Sequence, residues 1–109
     1  MDARIKALWI AALRSGEYKQ GKHQLRDGDR FCCLGVLCNI HAQEHPEIAA
    51  EQIDPDEYMG AFALLPLEVT EWAGLDVANP VIAGLHISLW NDIRGADFPY
   101  IADLIEQHL

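Results

Sequence analysis

The sequence predicts an α+β domain, with about four helices packed on a small two- to three-stranded antiparallel sheet. Three observations predict it. Apolar residues recur at helical spacing in separate stretches that carry a capping residue in front or a glycine stop behind. An Asp27-Gly28 pair stands between two short runs, as in a tight hairpin. The length, 109 residues, suffices for one core and leaves little for a second, so residues 1–109 are read as a single globular domain.

Residues Ala3 to Arg14 place Ile5, Leu8, Trp9, Ala12 and Leu13 on a helical face, with Asp2 as N-cap and Ser15-Gly16 as the stop. The polar basic stretch Tyr18 to Arg30 follows, and its Gly21 and Asp27-Gly28 read as turns, the second joining His23–Arg26 to Asp29–Cys32 as a hairpin. Cys33 to Ala42 is almost continuously apolar and fits a buried strand or a buried helix. The reading taken is a strand ending at Cys32 or Cys33 that gives way to a helix, since Cys33, Leu37, Ile40 and His41 share a helical face. Gly35 costs that helix about 1 kcal/mol relative to alanine but lets another element come close.

His45 to Phe62, with Pro46, Pro55 and Gly60, reads as one short helical turn and an acidic surface loop. A helix is predicted over Leu65 to Ala73, with Pro66 at its first position and Gly74-Leu75 as its C-terminal cap. Asp76 to Gly84 is a linker. Leu85 to Trp90 alternates as a third strand of the same sheet would, closed by Asn91-Asp92. Phe98 to His108 is the last helix, with Asp97 as N-cap and Ile101, Leu104 and Ile105 as its stripe. Trp9 and Trp72 are read as core.

Hydrophobic residues make up 50% of the chain and charged residues 23%, an ordinary globular composition. The charge is divided unevenly. The first thirty residues carry about +3 and the remainder about −12, for a net charge of −9. Such a balance disfavours direct nucleic-acid binding through phosphates and favours a basic partner. No apolar run approaches the roughly 20 residues a membrane span needs, and the N-terminus lacks a basic region followed by an apolar one, so a cytoplasmic protein without membrane association is expected.

The run Leu25-Arg26 followed by Phe31-Cys32-Cys33-Leu34-Gly35-Val36-Leu37-Cys38 resembles a family of small proteins encoded by bacteriophages and prophages. Trp9 and Leu13 with Ser15-Gly16, the stretch Leu65 to Leu75, and Asn91-Asp92 leading to Phe98 and Ile105 are similar to that family as well. An acidic residue often follows the third cysteine there, where this chain has Asn39. The resemblance implies a phage or prophage origin and a bacterial cytoplasm. It brings no mechanism.

Four chemistries are weighed. Cys32, Cys33, Cys38 and His41 are potential zinc ligands, but adjacent cysteines and a five-residue helical spacing point the thiols apart, so no metal or other cofactor is expected and buried apolar thiols are. A thiol at a helix start can be an activated nucleophile, and the segment from Phe31 to Val36 is similar to the Cys-x-Gly start of the catalytic helix in cell-wall cysteine peptidases. A thiol-dependent hydrolase using Cys32 or Cys33 with His86 as base is therefore one alternative. A second is an anionic small molecule or nucleotide held by Lys19, Lys22, Arg26 and Arg30. The preferred expectation is a non-enzymatic accessory protein whose carboxylates, Glu44, Glu47, Glu51, Asp54, Asp56 and Glu57, engage a basic host protein as a nucleic-acid mimic would.

Overall fold

The computed structural model describes all of residues 1–109. Its centre is a helix that is apolar nearly all round, the pattern of an element packed on every side. This helix, α2 (Cys33–Glu44), buries Cys33 to Cys38 without a break, then Ile40 and His41. The N-terminal helix α1 (Ala3–Arg14) starts where Asp2 accepts the Ile5 N–H at 2.9 Å and packs on α2 through Trp9, whose indole donates to the Cys33 carbonyl at 2.9 Å. The C-terminal helix α6 (Phe98–His108) is capped by Asp97 and covers α1. Arg14 reaches from α1 to Asp103 and Glu106 of α6 at 2.7 and 2.9 Å.

The expected fold, about four helices on one small antiparallel sheet, is corrected on two points. The chain forms six helices, the remaining three being α3 (Pro46–Ala50), α4 (Leu67–Trp72) and α5 (Ile87–Asp92). Its extended segments form two separate sheets. The first holds β1 (Lys19–Gln20), β2 (Arg26–Asp27) and β3 (Arg30–Phe31) in the order β1-β3-β2, and its β1–β3 pairing is parallel. The second is the hairpin β4 (Val81–Ile82) and β5 (Leu85–His86).

The β2–β3 hairpin turns on Gly28-Asp29, one residue later than Asp27-Gly28, with Gly28 at φ 63° as a two-residue hairpin with glycine first requires. Ala83-Gly84 closes the second hairpin with both residues at positive φ. The strand predicted over Leu85 to Trp90 stops at His86, and Ile87 to Asp92 coils into α5. Three residues decide this: Ile87 and Asn91 are fully buried while Leu89 between them is exposed, whereas a strand would put all three on one face and a helix turns Leu89 away from the other two.

Candidate functional site

A cavity of about 350 Å³ lies between α2, α3, the β2–β3 hairpin and the loop from Glu51 to Tyr58. Leu25, Phe31, Cys38 and Ala42 supply apolar wall, while Arg26, Asn39, Gln52, Asp56 and Glu57 supply polar groups. The loop is held in place by its own carboxylates: Asp54 accepts the Asp56 N–H at 2.9 Å, and Asp56 accepts the Gly28 N–H of the hairpin at 3.2 Å.

At the rear of the cavity Tyr58 is buried, and its hydroxyl meets His41 Nδ1 at 2.6 Å. His41 stacks on His45 with ring centres 4.0 Å apart and meets the edge of Trp72. Burial pushes the Tyr58 hydroxyl up to about 12 and pushes the His41 imidazole below its ordinary value, His45 adding to the second effect. Asn39 is fixed by donating to the Tyr18 hydroxyl at 2.7 Å.

The four cations of the basic stretch do not converge. Lys19 pairs with Asp29 at 2.8 Å, Arg30 donates to the Gln20 carbonyl at 3.3 Å, and Lys22 is exposed without a partner. Arg26 alone borders the cavity, donating to the Gly28 carbonyl at 2.8 Å while its guanidinium sits 5.0 Å from the Phe31 ring centre.

The carboxylates divide into three groups. Glu44 is taken by Arg4 through two bonds of 2.6 and 3.0 Å, which hold its carboxyl below the ordinary range. Glu47, Glu51 and Asp54 are exposed on and after α3 and make no salt bridge, and Ile53 among them is 99% exposed. Asp56 and Glu57 are half-buried and line the cavity.

The thiols are all free and buried. Cys32 is the N-cap of α2, its sulfur accepting the Gly35 N–H at 3.4 Å. A helix N-terminus lowers a thiol pKa, but desolvation is the larger effect here and pushes Cys32 up to about 11. Burial raises Cys33 and Cys38 as well, and the Cys33 thiol contacts the Ile87 carbonyl at 3.9 Å. His86 is exposed on β5 and bonds the Asn79 carbonyl through Nδ1 at 2.9 Å. His23 adopts a left-handed conformation at φ 70°, with Nδ1 3.8 Å from Asp92. No group of three or more His, Cys, Asp or Glu side chains is placed to hold a metal ion.

Two features were invisible in the sequence. Tyr58 and His41 are seventeen residues apart, and only the return of the loop to α2 joins them. Asn91, read as a turn residue, is fully buried: its carbonyl accepts from Gln20 at 2.9 Å and from the Cys33 N–H at 3.2 Å, and its amide donates to the Gly21 carbonyl and to Asp92 at 2.8 Å. One carboxamide thus ties β1, the start of α2 and α5 together.

The chain belongs to a family described as a domain of unknown function, DUF8296, which it matches over residues 1–109. No curated protein and no solved structure matches it. No helix is long and apolar enough to cross a membrane.

Proposed function

We propose that this protein is a non-enzymatic phage or prophage accessory protein of the bacterial cytoplasm that binds a basic host protein through its acidic segment. The observation that carries the reading is the position of that segment outside the core. No residue of α3 is buried, Glu47, Glu51 and Asp54 face solvent with no cation of the chain to neutralise them, and the exposed Ile53 stands between two of them. Unpaired carboxylates steer a basic partner into contact, and an exposed aliphatic side chain among them supplies apolar area to bury once contact is made.

The burial of all three thiols supports binding over catalysis, because a nucleophilic cysteine needs an accessible thiolate. The dispersal of Lys19, Lys22, Arg26 and Arg30 supports a protein partner over an anionic small molecule.

The test is capture from a bacterial lysate with the immobilised full chain, followed by binding measurements on the captured protein at low and high salt. Binding through Glu47, Glu51 and Asp54 weakens steeply with salt, and reversing all three to Lys slows association about tenfold or more while leaving the melting temperature unchanged. Asp56 is kept out of the reversal because it holds the hairpin at Gly28. Salt-insensitive binding, or a triple reversal without effect, refutes the reading.

A further inference from the structure

The cavity behind the acidic segment has a chemistry of its own. We propose that it receives one long cationic side chain, arginine or lysine, of the basic protein that docks on the segment, an inference that rests on the docking proposed above. At about 350 Å³ it lies at the small end of the range for ligand pockets and suits a slender occupant. Leu25, Cys38 and Ala42 offer apolar surface for an aliphatic stem.

The polar groups favour a donor at the end of that stem. Asp56 and Glu57 bring two carboxylates to the lining against the one guanidinium of Arg26, which is already engaged by the Gly28 carbonyl and the Phe31 ring. Asp56 spends one carboxylate oxygen on Gly28, and Glu57 makes no side-chain hydrogen bond within the chain. Asn39 and Gln52 each commit their amide nitrogen to the chain's own oxygens, to the Tyr18 hydroxyl and the Asp54 carbonyl, which leaves their carbonyl oxygens as acceptors. An anion would meet surplus negative charge, and a purely apolar group would strand these acceptors. An ammonium or guanidinium satisfies them, and a guanidinium can do so with two parallel bonds to one carboxylate.

The cavity is also continuous with the proposed docking surface. Gln52, Ile53 and Glu57 border both the cavity and an outer groove of about 380 Å³ that Glu51 and Asp54 line. A chain lying along the acidic segment therefore passes the mouth of the cavity.

The test uses amide NMR of the full chain titrated with Nα-acetyl-arginine methylamide, with Nα-acetyl-lysine methylamide and inorganic phosphate in parallel. Saturable shifts at Cys38, Asn39 and Tyr58 with at least one of the two cations, absent with phosphate, are expected, and Glu57→Gln weakens that binding about fivefold or more. Ala49→Phe, at an exposed position of α3 beside the cavity, abolishes the shifts with the melting temperature retained. Should either variant fail to fold, the other decides. Phosphate shifting the same residues, or neither cation doing so, overturns the proposal. Partner capture separates the two readings: loss on reversal of Glu47, Glu51 and Asp54 but not on Ala49→Phe leaves the docking in place and removes the cavity from it.

Discussion

The carbonyl of Leu25 rests directly on the Cα of Gly35, so closely that any Cβ at position 35 would overlap the Leu25 backbone. The same carbonyl accepts the Cys32 N–H at 3.3 Å, so the chain entering the hairpin is laid across the first turn of α2. Gly35 therefore lowers the helix propensity of α2 in exchange for backbone contact that no other residue permits.

Gly35→Ala forces that crossing apart. It lowers the unfolding free energy by about 3 kcal/mol, although alanine is the better helix former, because overpacking against backbone has no rotamer to relieve it. Urea denaturation monitored by far-UV circular dichroism reads the change.

Asn91→Ala removes a fully buried carboxamide and strands the Cys33 N–H and the Gly21 carbonyl. The expected loss is about 2 to 4 kcal/mol, from unsatisfied backbone groups rather than from lost apolar area. Asn39→Ala, whose side chain has only the Tyr18 hydroxyl as partner, costs about 1 kcal/mol or less in the same assay.

The thiols react slowly in the native state. With Cys32 held at about 11, roughly one molecule in a thousand carries its thiolate at pH 8, and Cys33 and Cys38 are raised too. Labelling with a chromogenic disulfide takes hours without denaturant and seconds with it. A cysteine that labels rapidly in the native protein, with an apparent pKa below 8, would restore the hydrolase reading.

His41 makes stability depend on pH. Burial and His45 hold its folded-state pKa below the ordinary 6.5, so the unfolded chain binds the proton first as pH falls. The contribution from the neutral imidazole is complete above about pH 6.5 to 7 and is lost as pH drops below the unfolded-state value toward the folded one. The melting temperature of the wild type falls between pH 7 and 5.5 more than that of His41→Gln. Parallel curves over that interval would show that His41 is not the group responsible.

Local signals in the sequence determined α1, α2 and α6 closely. Asp2 and Asp97 cap as read, the α6 stripe lies inward, the α1 stripe does so except that Leu8 is exposed and Ile10 is buried, and α2 begins at Cys33 after an extended Cys32. Capping and periodicity are interactions between residues three or four apart, so they survive without knowledge of the rest of the chain. The division into acidic and basic halves was likewise plain, since charge needs only counting.

Tertiary structure decided what depended on distant partners. Two-residue strands such as β1 have no periodicity to read, and the parallel pairing of β1 with β3 is followed by a turn whose Gly21 carbonyl accepts from Asn91, seventy residues away. The alternation of Leu85 to Trp90 fitted a strand, but the core takes Ile87 and Asn91 and leaves Leu89 between them exposed, which only a helix allows. The cavity arose in the same way. Arg26, Asn39 and Glu57 come from three elements, and only the return of the acidic loop onto α2 places them around one space.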